Sequence, residues 1–123
     1  MQSIQKLLVV VDPTVKRDFV VERAMMLAKI TNAKIKLFIN NNALSQHNFN
    51  YEGISTEFFE TQRKLFEEQH EKLLTNLVTE FTKAGIEASA DLASGNSLAE
   101  AIIERVNESK PDLVLKSTHH HSF

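Results

Sequence analysis

Hydrophobic positions along the chain fall into seven successive segments, alternately of strand and of helix period. Ile4 to Val11 is apolar and β-branched without alternation, which predicts a central strand buried on both faces. Asp12-Pro13 ends it, since proline lacks the ladder N–H and aspartate favours a turn. From about Asp18 to Asn32 the period becomes helical, with Val20, Ala24, Leu27, Ala28 and Thr31 on one stripe. Lys34 to Ile39 is a second strand with Ile35, Leu37 and Ile39 on one face, followed by an asparagine-rich loop from Asn40 to Asn50. A long helix spans roughly Ser55 to Ala84, its stripe formed by Phe66, Leu73, Leu74, Leu77, Val78 and Phe81, with Gly85 as its stop. Ile86 to Leu92 alternates weakly and reads as a third strand near a sheet edge. After a Gly95-Asn96 turn, Ser97 and Glu100 have capping-box spacing for a helix to about Asn107. Its core stripe is Leu98, Ile102 and Val106, flanked by Ala101 and Ile103. Pro111 breaks the helix and Leu113 to Lys116 begins a fourth strand.

The order βαβαβαβ implies a three-layer α/β/α fold, Rossmann-like, with a parallel sheet joined by right-handed crossovers. No interior linker or repeat divides the chain, so residues 1–123 read as a single domain. Ligands in such sheets sit outside the carboxyl ends of the strands, at the point where strand order reverses. This directs attention to Asp12 and Pro13, Ile39 and Asn40, Ala93 to Ser97, and Ser117 onward.

Fourteen Lys/Arg against sixteen Asp/Glu give a net charge of -2, without the footprint of a nucleic-acid or anionic-membrane binder. The absence of cysteine removes disulfides, thiolate catalysis and zinc-thiolate sites together. No apolar stretch is long enough to span a bilayer, and the start MQSIQKLLVVVDP does not read as a signal peptide. These features point to a cytoplasmic protein.

The candidate chemistry is sparse. Asp12 could serve a ribose or a cation, or simply close a turn. A phosphorelay receiver would need an acidic cluster around it, which is lacking. The three glycines, Gly53, Gly85 and Gly95, are too far apart for a Walker loop or a GxGxxG fingerprint. His70 falls on the apolar side of the long helix and reads as a partly buried core-edge residue, while His47 stands alone in a polar loop. His119, His120 and His121 include a same-facing pair, His119 and His121, that could ligate a transition metal, although no further ligand is evident. No serine–histidine–acid arrangement stands out.

LLVVVDP (7–13), the helix after it, KIKLFI (34–39), GNSLAEAII (95–103) and PDLVLKSTHHH (111–121) together resemble a universal stress protein domain. The Asp-Pro, the Leu-Val-Leu-Lys and the histidine-rich end are most similar to the first half of tandem E-type members. The resemblance implies an adenine-nucleotide-alpha-hydrolase-like fold with a five-stranded sheet. Here four strands are present, and the fifth strand and last helix are missing, as in a C-terminally truncated domain. In ATP-binding members the first-strand aspartate lies near the adenosine, and an apolar residue after the second strand contacts adenine. A glycine-rich G-x2-G-x9-G-(S/T) loop after the fourth strand wraps the phosphates. Carried over, these roles fall on Asp12 and Ile39, with Pro13, Asn40, Ser117 and Thr118 as further nucleotide-binding candidates; Ser117, Thr118 and His119 offer a few polar contacts but do not replace the glycine loop. No glycine follows Gly95, so backbone N–H groups lack the freedom to cradle phosphate closely. The expectation is a non-enzymatic stress-response domain that senses a ligand or binds protein, with no cofactor and weak or absent ATP binding. Its expected partner is a second universal-stress domain or another copy, with neither nucleic acid nor membrane. The alternatives are an ATP-binding, slowly hydrolysing member and a metal module built on His119 and His121.

Overall fold

The computed structural model describes residues 3–15, 19–41, 56–93 and 97–117. Its elements are β1 (Lys6–Val10), α1 (Phe19–Thr31), β2 (Lys34–Asn40), α2 (Thr56–Lys83), β3 (Ala88–Ala93), α3 (Leu98–Ser109) and β4 (Leu113–Lys116). The strands form one parallel sheet in the order β3-β2-β1-β4. The chain therefore steps outward from β1 through β2 to β3, then crosses back to place β4 on the other side of β1. Strand order reverses between β1 and β4.

β1 is central, and its unbroken apolar run follows from having two faces to bury. Leu7, Val9 and Val11 face one core with Ile35, Leu37 and Ile39 of the β2 segment, covered by Val20, Val21, Ala24 and Ala28 of α1 and by Leu74 and Phe81 of α2. Leu8 and Val10 face the opposite side with Phe38, where α3 packs Ala101, Ile102 and Val106. The second core is much smaller. Arg105 reinforces it, with its guanidinium 5.2 Å from the Phe38 ring centroid and its Nε paired to Asp91 of β3.

The helix ends explain several boundaries. Gly85 (φ 82°) donates its N–H to Thr82 O and Ile86 donates to Phe81 O, the two bonds of a Schellman stop. Ile86 is thus committed to the helix cap, which is why β3 begins at Ala88 and not at the expected Ile86. Ser97 Oγ accepts from Glu100 N at 3.2 Å, capping α3 as its sequence predicts. α3 ends at Ser109, two residues later than expected, and is capped by Lys110 in the left-handed region (φ 48°). Asp112 then accepts from Gln5 N and Lys6 N at 2.8 and 2.9 Å, tying the start of β4 to the start of β1.

Two expected core positions lie elsewhere. Ile103 is 60% exposed and Leu98 37% exposed, leaving Ala101 as the fully buried residue of α3. Ala101 packs with Leu8, Val10 and Phe38, and Ile102 and Val106 pack against the same cluster. β3 is an edge strand, as its weak alternation predicts, and β4 is the other outer strand. Leu113 and Val114 remain partly exposed on β4.

Candidate functional site

α2 is 28 residues long, about 42 Å at helical rise, against about 23 Å for the seven-residue β2. It runs antiparallel to the strands, so its N-terminal half extends past their carboxyl ends. The buried residues of α2 begin only at His70. Beneath this overhang, a cavity of about 500 Å³ opens where the strand order reverses.

Three sides of the cavity can be traced to local sequence. Its floor is the end of β1 and the turn after it, from Val10 to Thr14, with Asn40 from the end of β2. One wall is α2, through Phe66, Gln69, His70 and Leu73. The other side is Leu98 at the start of α3, with Lys116 and Ser117 at the end of β4. The volume lies within the range of small-molecule sites, and the lining combines apolar walls with a few convergent polar groups.

Asp12 closes β1 through a tight turn, its Oδ1 accepting from Thr14 N at 2.9 Å and from Thr14 Oγ1 at 2.6 Å. The carboxylate is thereby oriented at the cavity floor. Lys116 is a cation of the lining and its Nζ reaches Ser117 O at 3.3 Å. His70 is buried at 8% exposure, with its ring edge-on to Phe66 at 6.0 Å between centroids. Burial pushes its imidazole below the ordinary histidine range, because desolvation disfavours the charged form.

Of the residues named from sequence, Asp12, Pro13, Asn40 and Ser117 come together around this one cavity. Ile39 does not line it. Its side chain is fully buried in the core under α1 and α2. Thr118, His119, His120 and His121 lie outside the described residues, as do His47 and the Gly95-Asn96 turn. Sequence reasoning left out Thr14, Phe66, Gln69, Leu73, Leu98 and Lys116, and placed His70 in the core edge without a role. The available signal was the length of α2: a helix that outruns its sheet must leave part of its apolar stripe over the strand ends.

Among the described residues, no group of three or more His, Cys, Asp or Glu is placed to hold a metal ion. No helix among them is long and apolar enough to cross a membrane.

No protein-family model matches the chain. It is 32% identical over 124 residues to universal stress protein E of Photorhabdus laumondii, an alignment covering 98% of this chain and 38% of that relative. Among solved structures, a universal stress family protein from Burkholderia pseudomallei superposes with a TM-score of 0.74 at 17% identity, covering 90% of this chain and 79% of the other. An Arabidopsis thaliana universal stress family protein with AMP bound gives 0.59 at 21% identity, covering 91% and 76%. Over nearly its whole length this chain is thus similar in sequence to universal stress protein E, of whose length it spans 38%, and it shares the parallel α/β fold of the solved universal stress family structures.

Proposed function

We propose that this chain is a non-enzymatic ligand-sensing or protein-interaction domain of a cytoplasmic stress-response protein, and that its cavity takes a nucleoside-sized ligand while binding ATP weakly or not at all. The observation that carries the reading is the cavity itself. It sits at the reversal of strand order, with Asp12 at its floor, and its described lining contains no glycine. A cradle of backbone donors for a polyphosphate needs residues free to adopt positive φ, which the described lining does not offer. A family neighbour solved with AMP bound supports a nucleotide-like ligand of low charge.

The 38% share of the Photorhabdus laumondii relative supports reading this chain as one universal-stress domain of a longer tandem protein, with a second such domain as its partner. Among the described residues β4 is an outer strand, and a homodimer could instead pair along that edge.

Calorimetric titration of the chain with AMP and with ATP tests the proposal. AMP is expected to bind more tightly than ATP, and micromolar ATP affinity would refute it. The alternative of an ATP-binding, slowly hydrolysing member is favoured by the placement of Asp12. It requires ATP turnover that falls in Asp12→Ala, and absent or unchanged turnover removes it.

A further inference from the structure

The amino ends of β1 and β2 gather three lysines on one face of the sheet. Lys6 is the register partner of Lys34, and Lys36 is the partner of Leu8. Alternate residues of a strand share a face. Lys6 therefore lies with Leu8 and Val10, and Lys34 and Lys36 lie with Phe38, all on the side that α3 covers. Their stems start within roughly 8 Å of one another, from the spacing of strands and of residues along them. The three line a cavity of about 260 Å³, bounded on one side by Glu108 and Ser109 at the carboxyl end of α3.

Like charges opposite each other on neighbouring strands oppose folding unless something neutralises them. Two carboxylates share the lining, and both are engaged. Glu87 pairs with Lys34 at 3.2 Å, and Glu108 lies 3.6 Å from Arg105 Nη1. Asp112 feels the charge of Lys6, but its carboxylate is held by the backbone N–H groups of Gln5 and Lys6. The ammonium groups of Lys6 and Lys36 form no hydrogen bond or ion pair among the described residues. Lys6 is exposed and water serves it, whereas Lys36 is half-buried.

We propose that this cavity is an anion site, taking a small oxyanion of the phosphate class between Lys6 and Lys36. It lies at the opposite end of the sheet from the cavity under α2 and is independent of that reading. Two uncompensated charges match a dianion, so a phosphate fits better than a single carboxylate. Ser89, the register partner of Lys36, adds a hydroxyl to the same lining. The described lining holds no aromatic ring, so a nucleotide gains nothing here from its base. AMP is therefore expected to prefer the larger cavity, and phosphate without a nucleoside tells the two sites apart.

The test is titration of the ¹⁵N-labelled chain with sodium phosphate, with ionic strength held constant by sodium chloride. Saturable amide shifts are expected at Lys6, Lys34, Lys36 and Ser89, and none at Asp12 or Phe66. Lys36→Met keeps the apolar stem and removes the charge. It should weaken phosphate about tenfold, the scale of one hydrogen bond to a charged group. Lys36→Arg should keep most of the affinity. Lys64→Met, at an exposed position of α2, removes the same net charge and should leave binding unchanged. In phosphate-free buffer Lys36→Met should melt no lower than wild type, since it relieves repulsion. Shifts that do not saturate, or that chloride alone reproduces, overturn the proposal. So does undiminished phosphate binding by Lys36→Met. A lower melting temperature for Lys36→Met without phosphate also overturns it, because the charge would then already be satisfied by the fold.

Discussion

Phe38→Ala probes the smaller of the two cores, which fastens α3 and hence the Leu98 side of the cavity. Phe38 is completely buried between β1, α3 and the Arg105 guanidinium. Truncating a buried phenylalanine costs about 3–5 kcal/mol through lost burial and the hole it leaves. Loss of the cation–π contact adds about 0.5–1 kcal/mol at this largely covered position. A total near 4–5 kcal/mol is a large part of the roughly 5–15 kcal/mol that holds a domain together. For a chain of this length each kcal/mol corresponds to about 4 °C, so the melting temperature should fall by roughly 15–20 °C. Urea unfolding followed by circular dichroism should show a lower midpoint at unchanged slope. Hydrogen exchange should locate the damage, with amides of α3 opening before those of α1, which packs on the other face. A loss under about 1.5 kcal/mol, or opening that begins in α1, would refute the assignment of Phe38 as the keystone of this core.

Other outcomes follow from the helix ends and the titrating groups. Lys110→Gly should stabilise the chain by about 0.5–1 kcal/mol, because glycine holds the left-handed conformation at φ 48° without the clash of a Cβ; a melting temperature that falls would contradict this. Asp112 has its pKa held below 3.8 by the backbone N–H groups of Gln5 and then Lys6, with the Lys6 charge as a lesser aid. A depressed folded pKa gives stability that is whole at neutral pH and is lost as pH falls below 3.8 through the folded value, so the melting curves of wild type and Asp112→Asn should converge at strongly acidic pH. His70 is also depressed, from 6.5, by desolvation. Unfolded chain therefore takes up its proton first, and stability should decline as pH falls below 6.5, a limb that His70→Phe removes.

Much of this architecture was readable because burial imposes period on sequence. The unbroken run of β1 marked the central strand, the weak alternation of β3 marked an edge, and Gly85 marked a helix stop that its positive φ requires. Where the reading slipped, a partner in space had intervened. Ile86 looked like a strand residue but is held by Phe81 O in the helix cap. Ile103 looked like core flank, yet the packing of α3 on Phe38 turns Ala101 inward and Ile103 out. The site was half legible for the same reason. The strand-end rule pointed to Asp12, Pro13, Asn40 and Ser117, all local to the sheet. The α2 wall was not, since the register of a long helix over a sheet depends on contacts far apart in sequence. Periodicity alone could not separate a core histidine from one lining a cavity.

The central claim is that the cavity under the α2 overhang is the ligand site. Titration of ¹⁵N-labelled chain with AMP, followed by amide chemical shifts, tests it most directly. Shifts are expected at Val10 to Thr14, Asn40, Gln69 to Leu73, Lys116 and Ser117, with ATP producing the same pattern only at higher concentration. Shifts centred instead on Lys6, Lys34, Lys36 and Glu108, which line a smaller cavity of about 260 Å³ at the opposite end of the sheet, would contradict the claim.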